Sequence, residues 1–185
     1  MFIKKNKYYI YIENLSSINL NRVKNRSKFN LIYRNNIKKE KLSEIIAFQK
    51  LCKKKNIKFF VANDLSKALR LNASGIYLSS YNKKFLNISK TLRKNFEIIG
   101  SAHNFSEINM KRKQGCETVI LSRLFKTDYK NKSTFLGTTR FNLMTKNLLK
   151  NFVALGGIKS KNLMKINILN CEGIALLSEA KKSRR

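Results

Sequence analysis

The chain has 185 residues, of which 43% are hydrophobic, with no Pro and 7 Gly. That is enough apolar content for one domain, or at most two small ones, and it excludes disordered, collagen-like and Pro-rich classes. Lys and Arg number 40 against 10 Asp and Glu, a formal net charge of +30.

The positives are spread along the whole chain, and only the tail Lys181, Lys182, Ser183, Arg184, Arg185 is compactly basic. Such a field is expected to favour anionic small substrates such as phosphates over a nucleic-acid role. An abundance of Lys, Asn and Ile also fits drift from adenine- and thymine-rich codons. Cys52, Cys116 and Cys171 lie far apart with no CxxC pair or zinc spacing, so buried filler is expected. The odd count, with no signal peptide at the start, points to a reducing cytoplasm. No apolar run reaches the roughly 18 residues of a membrane span.

In chain order, apolar runs predict strands over residues 8–12, 29–33, 57–62, 75–78, 96–99, 117–121, 151–155 and 173–177. Between them, Leu42, Ile45, Ile46, Gln49 and Cys52 recur at helical spacing. Asp64 is placed to cap a helix over 65–71. Further helices are predicted over 106–113, 137–149 and 160–169, with weaker ones over 14–24 and 83–93 and a short one after residue 177. Nearly continuous apolar strands suit a parallel sheet covered by helices. Eight strand–helix units predict a closed (β/α)8 barrel, although about 250 residues is usual for that fold. No GxGxxG motif follows the first strand, so a dinucleotide fold gets no support. No composition break divides the chain, and residues 1–185 read as one domain with a basic tail at 181–185.

Barrel enzymes place their chemistry past the C-terminal ends of the strands. The residues there are Arg34; Asn63 and Asp64; Ser79, Ser80 and Asn82; Gly100, Ser101 and His103; Arg123, Lys126, Thr127, Asp128 and Lys130; Gly156 and Gly157; and Ser178. Gly156-Gly157 after the seventh strand, ahead of a helix, exposes backbone N–H groups that suit a phosphate. The alternative is a tight turn that needs glycine. Ser178 is placed to donate its hydroxyl to the same phosphate. Asp64 suits a hard ion such as Mg2+, which takes one or two carboxylates plus substrate phosphates. Asp64 also suits a plain helix cap. Arg34 and Lys130 are cations placed to hold a leaving diphosphate. His103, the one histidine, suits proton transfer, or a structural role.

The segments Phe29-Asn30-Leu31-Ile32-Tyr33-Arg34, Val61-Ala62-Asn63-Asp64 and Ala73-Ser74-Gly75-Ile76-Tyr77-Leu78 carry a resemblance. So do Ile98-Ile99-Gly100-Ser101-Ala102-His103-Asn104, Gly115-Cys116-Glu117 through Thr127 to Lys130, Val153-Ala154-Leu155-Gly156-Gly157-Ile158, and Cys171-Glu172-Gly173-Ile174-Ala175-Leu176-Leu177-Ser178. In order and spacing they resemble the thiamine phosphate synthases and their sister thiazole tautomerases, single-domain barrels. The resemblance implies a transferase of thiamine biosynthesis. It would join hydroxymethylpyrimidine diphosphate to thiazole phosphate, with Mg2+ assisting release of diphosphate. It implies Arg34, Asn63 and Lys130 on the diphosphate, Asp64 and Asn82 at the metal, and Ser101 near the pyrimidine. Thr127 would line the thiazole side, with Gly156, Gly157 and Ser178 on the thiazole phosphate. Against the family pattern, Ile32 replaces a glutamine, Asn36 a lysine and Asn82 the second metal carboxylate, and the loop 125–130 lacks prolines. The alternatives are a tautomerase using His103 and a non-catalytic barrel binding nucleic acid or other anions.

Overall fold

The fold was obtained as a computed structural model that describes residues 5–23, 26–35, 40–86, 93–127, 134–146, 148 and 151–176. Eight parallel strands close into a barrel in sequence order: β1 (Lys7–Ile12), β2 (Phe29–Tyr33), β3 (Lys58–Ala62), β4 (Gly75–Leu78), β5 (Glu97–Ala102), β6 (Thr118–Ser122), β7 (Asn151–Leu155) and β8 (Gly173–Leu176). β8 returns to β1 through the pairs Lys7↔Gly173 to Ile10↔Leu176, which seals the cylinder. The fold predicted from the eight apolar runs is therefore the one observed.

Alternation along the strands sorts side chains into two layers. Tyr9, Tyr11, Ile32, Phe60, Tyr77, Ile99, Ile120, Val153, Leu155 and Ala175 pack together inside the barrel. Their neighbours, such as Leu31, Phe59, Val61, Ile76, Val119 and Phe152, face outward into a larger core beneath the helices. Both faces are buried, which is why the strands read as continuous apolar runs.

Five α-helices cover the barrel among the described residues: α1 (Leu42–Lys54), α2 (Leu65–Arg70), α3 (Phe105–Lys113), α4 (Gly137–Thr145) and α5 (Met164–Asn167). α1 lays Ile45, Gln49 and Cys52 on the sheet, the face its spacing predicted. No described helix is long and apolar enough to cross a membrane.

The sequence reading and the structure part in several places, among them the helix predicted over 137–149, which ends at Thr145. Over 14–24 the described residues form two 3-10 turns, Leu15–Ser17 and Leu20–Arg22, in place of a helix. Ser16 and Ser17 hydroxyls donate to Asn14 Oδ1, and Asn21 N–H donates to Asn19 Oδ1. The Asn19 bond takes up a backbone N–H that a helix would have used, while the serine hydroxyls bond Asn14 side chain to side chain. Residues 83–86 carry no helix. The strand predicted over 96–99 runs on to Ala102, so Gly100 and Ser101 lie on β5 and not past it. The helix predicted over 160–169 splits into a 3-10 turn, Ser160–Asn162, and the four-residue α5. There Asn162 is pinned instead, donating to Gly157 O at 2.8 Å and accepting from Lys159 N–H at 2.8 Å.

Candidate active site

The C-terminal ends of the strands bring most of the described candidate residues to one mouth. Its floor is polar and aromatic. Tyr11 on β1 and Tyr77 on β4 meet edge to face, with ring centroids 5.4 Å apart. Tyr77 hydroxyl donates to Ser101 Oγ at 2.8 Å in a fully buried bond. Arg34 follows β2, its N–H anchored on Ile12 O at 2.8 Å. Its guanidinium acts electrostatically on the phenols of Tyr11, Tyr77 and Tyr81.

Two polar atoms of this floor, Tyr11 Oη and Arg34 Nε, are buried and, among the described residues, have no hydrogen bond of proper geometry, although the Tyr77 hydroxyl lies beside Tyr11. Buried polar atoms are nearly always paired, so an unpaired couple at a barrel mouth points to a ligand. Burial, and then the neighbouring Tyr77, push the Tyr11 phenol well above its ordinary value. Burial raises Tyr77 against the opposing influence of its bond to Ser101 and of the neighbouring Tyr11 hydroxyl. Both phenols stay neutral, so each keeps an O–H, which Tyr77 gives to Ser101. Tyr81 is held below its ordinary value, first by its contact with the Ser79 hydroxyl and then by the Arg34 charge.

Asn63 adopts the left-handed conformation, φ 59°, at the end of β3, a region that asparagine tolerates better than most residues. Its Oδ1 accepts from Ser79 N–H at 2.9 Å, Ser79 Oγ at 3.0 Å and Asn82 Nδ2 at 3.1 Å. The carbonyl oxygen is thus filled, and the amide nitrogen is the group able to meet an anion. Asp64 caps α2, its Oδ1 accepting from Lys67 N–H at 2.8 Å. It is exposed and lines a rim groove of about 370 Å³ with Glu40, Ser66, Lys67 and Arg70. Burial would raise the Glu40 carboxyl, but bonds from the Tyr33 hydroxyl, Leu15 N–H and Asn35 hold it below its ordinary value. Burial first, and then the bond to Glu40, push Tyr33 up to about 12. Lys67 ammonium sits 5.0 Å from the Tyr33 ring centroid.

For Mg2+ the donor set is thin. Among the described residues no group of three His, Cys, Asp or Glu side chains gathers. Asp64 keeps one carboxylate oxygen outside its cap and fits an ion that arrives with a diphosphate. Asn82 is neutral and committed at both amide atoms, its Oδ1 accepting from Lys84 N–H at 3.0 Å and its Nδ2 donating to Asn63.

His103 does not join the floor. Its Nδ1 lies 2.9 Å from Glu107 Oε2, which also accepts from His103 N–H at 2.8 Å. Asn104 caps α3 through Glu107 N–H at 2.9 Å, so the histidine belongs to a helix start.

Across the mouth, β7 ends in Gly156 and Gly157 at φ 101° and 65°. The loop after β6 lies against this turn, with Phe125 N–H donating to Gly156 O at 3.1 Å. A Cβ on Gly157 would stand 2.5 Å from Lys126 O and 2.6 Å from Phe125 O. Thr127 Oγ1 accepts a long bond of 3.5 Å from Arg123 Nη1. With α5 only four residues long, a phosphate here would rest on the turn's own N–H groups and not on a helix dipole, contrary to the sequence expectation. Lys130, Asp128, Ser178 and Asn36 lie outside the described residues.

Tyr11 and Tyr77 were missed by a search confined to residues past the strand ends. The alternation Tyr9, Tyr11 in β1 was the signal that places them inside.

Comparison with known proteins fits this geometry. The family model described as thiamine monophosphate synthase matches residues 11–180. A thiamine-phosphate synthase of Prochlorococcus marinus (strain AS9601) is 35% identical over 146 residues, 77% of this chain and 40% of the relative. Thiamine-phosphate synthase 1 of Streptococcus pneumoniae (strain ATCC BAA-255 / R6) is 30% identical over 142 residues, 75% of this chain and 67% of the relative. The chain thus spans about 40% of the length of the Prochlorococcus relatives it matches. Among solved structures, thiamine phosphate pyrophosphorylase from Pyrococcus furiosus superposes with a TM-score of 0.68 at 20% identity, covering 94% of this chain and 86% of that one. A 3-hexulose-6-phosphate synthase gives 0.64 at 15% identity, covering 92% and 89%. These two likenesses concern the barrel fold.

Proposed function

Because the chain belongs to the thiamine monophosphate synthase family, we propose that it is a transferase joining hydroxymethylpyrimidine diphosphate to thiazole phosphate. Diphosphate is the leaving group. The reading treats residues 1–185 as one barrel domain and places both substrates, which are phosphorylated and anionic, at the mouth. The observation that carries it is the unpaired couple Arg34 Nε and Tyr11 Oη on the barrel floor, between the Asn63-Asp64 corner and the Gly156-Gly157 turn.

The bond from the pyrimidine methylene carbon to the diphosphate oxygen breaks, and its electron pair leaves with the diphosphate. Arg34 and Asn63, with Lys130, hold the departing anion where its charge develops. Asp64 would hold Mg2+, which neutralises that developing charge. The bond between Ser101 and Tyr77 keeps both side chains in fixed rotamers beneath the pyrimidine cation. The thiazole nitrogen then attacks with its lone pair, while the Gly156-Gly157 turn and Ser178 anchor the thiazole phosphate. Thr127 and the loop after β6 cover that side and exclude water. Retention of Asn63, Asp64 and Lys130, which a tautomerase with no diphosphate substrate would not need, favours coupling over proton movement by His103.

Asp64→Asn separates the metal role from the cap. Asparagine caps as well as aspartate, so stability should change by less than about 0.5 kcal/mol. Turnover should fall roughly a hundredfold, with a higher Mg2+ requirement. Rates across an Mg2+ titration, paired with a melting curve, check this. An unchanged Mg2+ dependence would remove Asp64 from the metal site.

A further inference from the structure

α3 buries a lysine against the sheet. Lys111 is fully buried, yet among the described residues no carboxylate bonds it. Its Nζ donates to Ser79 O at 2.7 Å, Asn82 O at 2.8 Å and Gln114 Oε1 at 2.8 Å. One turn on, Gln114 Nε2 donates to Asn82 O at 3.0 Å and Lys84 O at 2.7 Å. Burial lowers the lysine pKa, against smaller opposing contributions from Cys116 and Glu107.

β5 makes room for this side chain. A Cβ on Gly100 would come within 2.8 Å of Lys111 Cδ, 3.1 Å of Lys111 Cγ and 2.8 Å of Cys116 Sγ. Burying an ammonium costs free energy that a leucine or methionine would avoid. Packing α3 on β5 therefore does not explain the lysine. Its bonds do, because they tether a loop that has no helix of its own over residues 79–86. That loop carries Ser79 and Asn82, the two residues that bond Asn63 Oδ1 beside Asp64.

We propose that Lys111 is a positioning residue of the site. With Gln114, its ammonium fixes the carbonyls of Ser79 and Asn82, and so holds Asn63 and Asn82 in place at the diphosphate corner. The kinetic consequence rests on the coupling reaction proposed above, whereas the tether itself does not.

The test compares wild type with Lys111→Met, Gln114→Ala and Gly100→Ala by three readouts. These are hydrogen exchange of peptides covering 79–86, calorimetric binding of inorganic diphosphate with Mg2+, and KM for each substrate. Lys111→Met removes the ammonium from the carbonyls of Ser79 and Asn82, leaving them only the Asn82 N–H and the Gln114 amide. Exchange over 79–86 should rise about tenfold with strand peptides unchanged. Diphosphate binding should weaken about tenfold, with KM for thiazole phosphate within about twofold of wild type. Gly100→Ala, which displaces the lysine stem, should move the same readouts in the same direction. A folded Lys111→Met with unchanged loop exchange and unchanged diphosphate binding overturns the proposal. If Lys111→Met does not fold, the same null result in Gln114→Ala overturns it. A wild type that binds diphosphate but makes no thiamine phosphate counts against the coupling reading alone, since loop exchange and diphosphate binding still decide the tether.

Discussion

Arg34→Met should lower kcat/KM for the pyrimidine diphosphate by about a thousandfold, in line with removal of a donor aimed at developing charge. Arg34 continues the inward side of β2 two residues after Ile32. Its Nε is buried and has no partner of proper geometry among the described residues. Methionine fills similar space without leaving an unpaired polar atom, so the melting temperature should stay level or rise slightly. That pairing of a large rate loss with preserved stability is the signature of a group kept for a ligand. Steady-state kinetics and a melting curve check it. A rate loss below about tenfold would mean that the diphosphate is held elsewhere.

Gly157→Ala should damage the other half of the site and the fold together. The residue sits at φ 65°, where a Cβ costs roughly 1–2 kcal/mol. Its Cβ would also strike the main chain, 2.5 Å from Lys126 O and 2.7 Å from Phe125 C. No side chain can rotate away from that contact, and overpacking of this kind adds roughly 1–3 kcal/mol. Urea unfolding should therefore show a loss of about 2–5 kcal/mol. KM for thiazole phosphate should rise more than about tenfold as the loop after β6 is pushed off the turn. Gly156→Ala is the control. At φ 101° it carries at least as much backbone strain. Its Cβ, however, would meet Arg123 Cβ, Cγ and Cα at 3.2–3.3 Å and not the main chain of the loop at 2.5 Å. KM for thiazole phosphate should therefore stay closer to wild type than in Gly157→Ala. Equal KM values in wild type and Gly157→Ala would place the phosphate away from this turn.

The barrel was legible because its strands are buried on both faces, so each appears as an unbroken apolar run set off by polar residues. Phe59-Phe60-Val61-Ala62 and Phe152-Val153-Ala154-Leu155 are examples. Helices were legible where an apolar stripe was long, as in α1. They were misread where short 3-10 turns take over, as after Asn19, whose side chain captures the Asn21 N–H. Positions past the strand ends located Arg34, Asn63, Asp64 and the glycine turn. They did not locate the Tyr11–Tyr77 floor, because those rings lie within the strands and look like core in any apolar run. Lys111 was invisible for a different reason. Among 40 basic residues, only burial and the bonds at its ammonium set it apart. Ser101 and His103 looked equivalent in sequence as neighbours of the fifth strand. The extension of β5 to Ala102 turns Ser101 into the barrel and leaves His103 with the cap of α3.

The most direct measurement is the coupling assay. Purified protein is mixed with hydroxymethylpyrimidine diphosphate, thiazole phosphate and Mg2+, each omitted in turn, and thiamine phosphate is followed by chromatography. The expected result is product that requires all three components. A folded protein that binds thiazole phosphate and inorganic diphosphate, yet forms no thiamine phosphate with all three present, would contradict the proposed activity.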